Sequence, residues 1–542
     1  MATTPSSGGE WKKRSVVSSF LMKIDDEQRP RIALFQRSDE VSTYQHHLAP
    51  ISGTIDPALD PSPVSAAWRE IKEETTLTPT SLVLLRQGKP YSFKDPSIRR
   101  EWTVHPFLFQ LKNPATDEQK IQIDWEHEDW TWHDPDAIIR EADGDGNYPG
   151  SVPRLAQSLR RVWFETDLGP AGAGKVLSVG LEALARDHES GARQMAGAAL
   201  QTLRGVLAEM NGPGENGLAE EWWEKVRFAA WHLWKNGRES MGAAIMSALL
   251  AALAGIEQVM MQKSSEPGPL RGAVLRELDE RIAARQEAAK RISQAFTAYL
   301  ETSFPSKRAA HEPISILTLS ESSTIRQGLR DAALEAGFVL DLRVLESRPL
   351  YEGLSLAASL AEDLSSTTSS GPSSAEAEHT IIIYSDASAA LAASDIDVVL
   401  LGADRISASG DVSNKTGSLP AVLSAKHVCP GAKVFVLGES DKIAPPGRRE
   451  DHIVEDNDPS QISRAWQAEY NSGRVRGAAA AIRNSSSRDG RVKIEIRNIF
   501  FEWVPAGLVD AYVTQSGLWT VQQIAQHSEK LQAEQERFFG SL

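Results

Sequence analysis

The sequence predicts an α/β protein of several domains. Three observations carry this. A chain of 542 residues is long enough for about three domains. An acidic helical segment near the start is flanked by β-rich runs, and residues 176 to about 300 are helical throughout. After residue 310, short continuous apolar runs alternate with helical segments, the pattern of a parallel sheet covered on both faces.

The first elements follow in order. Residues 1–10 are rich in Ser, Thr and Gly and read as a disordered tail. "VVSSFLMKIDDEQRPRIALFQRS" (16–38) holds two β-rich runs split by a polar turn. "HLAPISGTID" (47–56) places Gly53 after a short apolar stretch, a tight turn ahead of the next helix. In "AAWREIKEETTL" (66–77), Ala66, Ala67, Trp68, Ile71 and Leu77 form an apolar stripe at helical spacing. Glu70, Glu73 and Glu74 are related by three and four positions, so all three are expected on one face. Like charges at that spacing cost a few tenths of a kcal/mol per pair, roughly. A divalent cation offsets that repulsion, and carboxylate oxygens suit Mg²⁺ or Mn²⁺. The competing reading of any such run is a solvated acidic face. "VHPFLFQL" (104–111) and "EHEDWTWHDPD" (126–136) read as later strands and the loop after them.

"VPRLAQSLRRVWFE" (152–165) is an amphipathic helix opened by Pro153, and "TDLGPAGAGK" (166–175) a linker. The linker contains "GPAGAGKV" (169–176), which fits G-x-x-x-x-G-K. It ends in Val176 where a phosphate loop needs Ser or Thr, and it follows a helix where such a loop follows a strand. The helical stretch that comes next has recurring breakers, which favours several helices of ordinary length over one long coiled coil. "MGAAIMSALLAALAGIEQVMM" (241–261) approaches membrane-span length but contains Glu257 and lies between polar helices, so it reads as a buried core helix. The strand candidates beyond it are "ISILTLS" (314–320), "VLDLRVLES" (339–347), "HTIIIYSD" (379–386), "IDVVLLGAD" (396–404) and "AKVFVLGES" (432–440). Ligands of such sheets bind beyond the carboxyl ends of the strands, where Ser320, Glu346 to Arg348, Asp386, Asp404 and Lys442 fall. Residues 364–378 and 483–490 look like loose insertions.

A net charge of −15 argues against direct nucleic-acid binding, which needs a basic surface. The single Cys429 excludes an intramolecular disulfide framework and suits a reducing compartment. The opening residues lack the apolar core of a secretory signal. A cytoplasmic protein without a membrane anchor is the expectation.

The span from Gly53 to Leu77 resembles the Nudix box, and "REIKEETTL" matches its second half at Arg69, Glu70, Ile71, Glu73, Glu74 and Leu77. Two features depart from it. The box is two residues longer between Gly53 and Arg69, with Asp56 and Asp60 the acids nearest the place of its first Glu, and its late Gly is Thr76. The resemblance implies an α/β/α sandwich with a mixed sheet over residues 11–170 that hydrolyses a diphosphate linked to another moiety. It implies Glu70, Glu73 and Glu74 as ligands of Mg²⁺ or Mn²⁺, a further acid from Glu126 in preference to Glu128, and Arg69 as the fork that orients a glutamate.

"GADRISASGDVSNKTGS" (402–418) resembles a family that holds the alpha, beta and delta subunits of translation initiation factor 2B, methylthioribose-1-phosphate isomerase and ribose-1,5-bisphosphate isomerase. "ILTLSESST" (316–324), "ESRPLYEG" (346–353) and "FEWVPAGLVDAYVTQSG" (501–517) extend the resemblance. It implies a helical bundle over 176–305 and a Rossmann-like domain over 310–530. Arg348 can grip phosphate. Asn414 and Lys415 add donors, and Gly402, Gly410 and Gly417 let backbone approach a ligand. Asp404 can move a proton between C1 and C2 of an opened sugar. The isomerases pair that Asp with a Cys, and Ser320 stands in its place here. A hydroxyl is a poorer acid–base group than a thiol. Their Arg-Gly-Ala signature is not evident, "RQMAGAAL" (193–200) being the nearest stretch.

The expected protein is a diphosphate hydrolase joined to a module that binds a phosphorylated sugar or nucleotide and pairs as a homodimer. The competitors are a non-catalytic relative associated with initiation factor 2, and a sugar-phosphate isomerase using Asp404 with Ser320.

Overall fold

A computed structural model describes residues 11–187, 190–212, 219–238, 241–263, 270–365, 378–447, 455–485 and 494–542. The expected tail and most of both loose insertions lie outside these residues. The chain forms two compact units. One is Met1–Arg186 with Thr202–Gly237 and Leu542, and the other is Asp187–Gln201 with Arg238–Ser541.

In the first unit, β1 (Lys12–Ile24) runs into β2 (Pro30–Arg37), the two antiparallel. The Asp25 carboxylate accepts the backbone N–H groups of Glu27 and Arg29, closing the polar turn. β3 (Leu48–Ala49), β4 (Leu82–Gln87), β5 (Tyr91–Asp95), β6 (Arg100–Leu111) and β7 (His127–His133) complete a seven-stranded sheet. Its path is β3-β2-β1-β6-β4, with β5 against β6 and β7 against β2. The β1–β6 pair is parallel and the others antiparallel, so the sheet is mixed as expected. Side chains alternate across β1. Val17 and Leu21 pack with Ile71 of the acidic helix, while Phe20 and Met22 pack with Ile139, Leu155 and Leu159 on the other side. That makes a sandwich of helix, sheet and helices.

The stretch 152–175 departs from expectation. Helix begins at Leu155, after Arg154 in a left-handed conformation, and ends at Arg160. Pro153 therefore precedes the helix instead of opening it. Residues 166–175, read as a linker, hold short helical turns broken at Gly169 and Gly172 that lead into Gly174–Arg186. No strand precedes Gly169, so the phosphate-loop pattern lacks its structural context.

In the second unit, Gly242–Lys263 is a core helix. It is the one described helix long and apolar enough to cross a membrane. Ile245, Leu249, Leu253 and Ile256 on it are fully buried. The expected strands all form: β8 (Ile314–Leu319), β9 (Leu340–Leu345), β10 (Thr380–Tyr384), β11 (Val398–Leu401) and, after the short β12 (Arg405–Ile406) and β13 (Val412–Lys415), β14 (Lys433–Leu437). With β16 (Ala511–Thr514) and β17 (Gly517–Trp519) they make one sheet in the order β10-β9-β8-β11-β14-β16-β17. It is parallel except at its last pair. β12, β13 and β15 (Phe501–Val504) form a separate antiparallel sheet. Both faces of the large sheet are buried at its central strands, while the edge strand β10 leaves Ile382 and Ile383 partly exposed. Strand order reverses between β8 and β11, and their carboxyl ends open the crevice where ligands of such sheets bind.

Candidate functional site

Each unit carries one candidate site. In the first, the acidic helix is Pro63–Thr75. Ser62 caps it in a reciprocal box with Ser65, Pro63 sits in its first turn, and Thr76 ends it at φ 64°. Glycine favours that left-handed position, so Thr76 takes up the conformation of the residue it replaces. Ala66, Ala67 and Ile71 are fully buried, and Trp68 lies edge-on to Phe109 at 4.7 Å.

The three glutamates do not share one environment, contrary to expectation. Glu73 is 57% exposed and Glu74 3% exposed at their side chains, with Glu70 between them at 12%. The reason is the 100° step per residue: Glu74 rotates toward the sheet while Glu73 turns to solvent. Arg69 also differs from expectation. Its fork closes on Asp60, through Nε at 3.1 Å and Nη2 at 2.9 Å. Nη1 bridges Glu70 at 2.8 Å and Glu73 at 3.1 Å, and Nη2 also donates to the Thr54 carbonyl. The Arg69 pairing holds the Asp60 carboxyl below its ordinary value.

Glu70 and Glu126 line one cavity of about 300 Å³ together with Arg37, Tyr44, Gly53, Arg100 and Trp102. A Cβ on Gly53 would stand 1.9 Å from the Glu70 carboxylate, so any larger residue there must displace that carboxylate. Glu128 is instead exposed, beside Asp39 and His46. That trio is the described set of ligating atoms within 4.8 Å of one another; the helix acids do not converge so tightly while Arg69 holds two of them. Burial, then the neighbouring carboxylates, raises Glu74 well above the ordinary range. Burial also raises Glu70 and Glu126. Glu74 Oε1 is buried with no hydrogen-bond partner. His127, buried and 3.5 Å from Glu74, is pushed down to about 4 by burial. A hard divalent cation fits this set, since it would pair the orphaned oxygen and relieve the mutual repulsion. Arg37, Tyr44 and Trp102 were not singled out from the sequence. They come from β2, a loop and β6, and no spacing unites them.

In the second unit, Ser320, Gly402, Asp404, Asn414 and Lys415 all line one cavity of about 360 Å³, with Lys442, Glu352, Arg193 and Arg238. Ser320 follows β8 and Gly402 and Asp404 follow β11, at the switch in strand order. Ser320 adopts φ 64°, a strained conformation for a non-glycine residue. Its N–H donates to Ser347 Oγ at 2.7 Å and its Oγ to Glu352 Oε2 at 3.2 Å. Lys415 pairs with Glu352 Oε1 at 2.9 Å. Asn414 donates to Ser418 Oγ at 2.9 Å. Burial raises the Asp404 carboxyl, against the pull of Lys442 and Lys415. Buried Glu439, near Lys442 at 3.5 Å and Arg193 at 3.8 Å, is held below the ordinary range: burial would raise it, but these cations prevail.

Three expected residues lie elsewhere. Arg348 is half-exposed, bonded to Tyr351 and near Glu346, on a small cleft that adjoins the cavity through Glu352 and Lys415. Gly410 packs on Tyr512, whose hydroxyl donates to its carbonyl. Gly417, at φ 110°, caps the helix Ser418–Val428. The arginines that do line the cavity are Arg193 and Arg238. Arg193 opens the stretch nearest to an Arg-Gly-Ala signature, a usable signal; Arg238 follows a helix with no recognisable pattern.

Comparison with known proteins finds two families in the chain. Residues 13–155 match the NUDIX domain model and residues 188–521 the Initiation factor 2 subunit family model. The methylthioribose-1-phosphate isomerase of Syntrophotalea carbinolica is 31% identical over 194 residues, covering 35% of this chain and 46% of that protein. That of Parabacteroides distasonis is 25% identical over 275 residues, covering 50% of this chain and 71% of that protein. The chain thus spans about half the length of the first of these relatives. The translation initiation factor eIF-2B structure from Pyrococcus horikoshii OT3 has a TM-score of 0.43 at 20% identity, over 65% of this chain and 98% of that one.

Proposed function

We propose, for a chain that belongs to the Initiation factor 2 subunit family and carries a NUDIX domain, that residues 11–170 hydrolyse a nucleoside-diphosphate-linked metabolite. The observation that carries this is Glu74 Oε1, buried without a partner beside two further carboxylates that face or border one cavity. Glu70, Glu73, Glu74 and Glu126 would hold Mg²⁺ or Mn²⁺, which supplies charge neutralisation for the diphosphate and a lowered pKa for the attacking water. Asp60 orients Arg69, and Arg69 in turn holds Glu70 and Glu73 at the cavity mouth. Arg37 and Arg100 bring positive charge to the same cavity for an anionic substrate. The test is release of a phosphorylated product from an ADP-sugar or dinucleotide by the purified chain with Mg²⁺ or Mn²⁺. A Glu73→Gln, Glu74→Gln variant with full activity removes the proposal.

A second reading concerns the other cavity. It takes a phosphorylated sugar, and the isomerase relatives favour isomerisation over simple binding. Its supporting observation is that Asp404 and the Ser320–Glu352 pair line one cavity with Lys415, Lys442 and Arg193. Hydrolysis of a sugar-linked diphosphate would then yield the class of compound this cavity accepts. Incubation with methylthioribose 1-phosphate or ribose 1,5-bisphosphate separates an isomerase from a non-catalytic relative. The latter would co-purify with initiation factor 2 and turn over nothing. Self-pairing through the module of residues 176–530 belongs to this proposal, and sedimentation of the purified chain tests it.

A further inference from the structure

The isomerase reading has a chemical weakness at Ser320, because a hydroxyl near its usual pKa holds and releases protons poorly at neutral pH. The structure puts a carboxylate behind it. Glu352 Oε2 accepts the Ser320 hydroxyl at 3.2 Å, and Glu352 lines the same cavity as Asp404. Glu352 opens the helix Glu352–Ser365, so the helix N-terminus and Lys415, at 2.9 Å, both place positive charge beside the carboxylate. Its backbone is pinned: a Cβ on Gly353 would stand 1.8 Å from the Leu345 carbonyl oxygen, so only glycine lets the helix start against the end of β9. Ser320 is pinned too, at φ 64° with its N–H on Ser347 Oγ. Nothing in the local sequence pattern pairs residues 32 positions apart.

We propose that Glu352 is the general base of this cavity, working through the Ser320 hydroxyl, with Asp404 as the general acid. This rests on the isomerase reading. For a cyclic aldose 1-phosphate, the C2 hydroxyl proton passes to Ser320 Oγ as the Ser320 proton passes to Glu352. Asp404 protonates the ring oxygen as its bond to C1 breaks. The hydrogen on C2 moves to C1 with its electron pair, leaving a carbonyl at C2 and the phosphate still on C1. One proton is gained by Glu352 and one lost by Asp404, so the step is an isomerisation that needs no oxidant or reductant.

The experiment is steady-state turnover of methylthioribose 1-phosphate by the full chain and three variants across pH. Glu352→Gln is expected to lower kcat about 10²–10⁴-fold with KM little changed, the size of a general-base contribution. Glu352→Asp is expected to keep part of the activity. Ser320→Cys placed in the Glu352→Gln chain is expected to recover turnover, with its acidic limb moved toward the thiol range near about 8.5. Glu352→Gln that raises KM while leaving kcat intact, or that leaves both intact, overturns the assignment, since Glu352 then only positions Lys415 or does nothing. No turnover by the unaltered chain removes the isomerase reading and the assignment together. Turnover indifferent to Glu352 removes the assignment alone.

Discussion

Arg69 closes both prongs of its fork on Asp60, with Nε 3.1 Å from Oδ1 and Nη2 2.9 Å from Oδ2. Asp60 thus supplies a carboxylate from the loop that precedes the helix, where no glutamate is available. The residual donor of Arg69 is what reaches Glu70 and Glu73. The lengthened loop is therefore compatible with a held arginine, provided its acid is Asp60.

Asp60→Asn should accordingly weaken the first unit by about 1.5–3 kcal/mol, the range for a hydrogen bond to a charged group, and lower diphosphate hydrolysis more than it lowers substrate affinity. The sign with pH follows from the depressed Asp60 carboxyl. Its contribution is complete above the ordinary Asp value and is lost as pH falls through the lowered one. Acid denaturation curves of the variant should lack that part of the loss.

Glu74 behaves in the opposite sense. Its raised carboxyl costs nothing while protonated, and the cost grows as pH climbs through the raised value. Glu74→Gln without added metal should unfold at higher denaturant than the parent at pH 8, by about 1 kcal/mol or more, with the gap closing toward pH 4. Added Mn²⁺ should stabilise the parent and not the variant. A parent chain indifferent to Mn²⁺ would count against metal binding at this turn.

Gly53→Ala should act on chemistry more than on folding. Its methyl would meet the Glu70 carboxylate at 1.9 Å, and that carboxylate is the movable end of a side chain. Hydrolysis should fall about tenfold or more through misplacement, while the melting temperature shifts little. An unchanged kcat would show that Glu70 has no fixed role.

Arg193→Ala and Arg348→Ala make a paired test in the second unit. Arg193 lines the cavity with Asp404, whereas Arg348 lies by another cleft. Loss of one charge-assisted bond to a phosphate corresponds to about 1.5–3 kcal/mol, or roughly 10- to 150-fold in Kd. Calorimetric titration with a phosphorylated ribose should show that loss for Arg193→Ala and near-parent binding for Arg348→Ala. The reverse result would move the phosphate site to the small cleft.

Much of this was legible in advance, because the readable parts are local. Apolar runs at 314–320, 339–347, 379–386, 396–404 and 432–440 became β8, β9, β10, β11 and β14; a strand buried on both faces must be continuously apolar, and the edge strand β10 keeps that pattern although it is partly exposed. The acidic helix was legible from its apolar stripe, and its Ser62 cap emerged with the structure. The linker at 166–175 keeps non-helical backbone only at Gly169 and Gly172, as glycine allows, while the residues between and beyond them take helical turns. Arg69 does hold glutamates, Glu70 and Glu73, through one nitrogen, but its two-pronged fork faces Asp60, because the loop carries that acid in front of the guanidinium and no sequence spacing shows it.

The sequence by itself determined which chemistry this protein holds: carboxylates at helical spacing, and an ordered set of Asp, Asn, Lys and Gly positions after apolar strands. Only the tertiary structure decided which of those groups meet. Strand order at the β8–β11 switch brings Ser320, Glu352, Asp404 and Arg193 to one cavity and leaves Arg348 outside it. The physical reason is range: periodicity and turn chemistry act over a few residues, whereas the partner of a buried polar group is chosen by where separate strands and helices end.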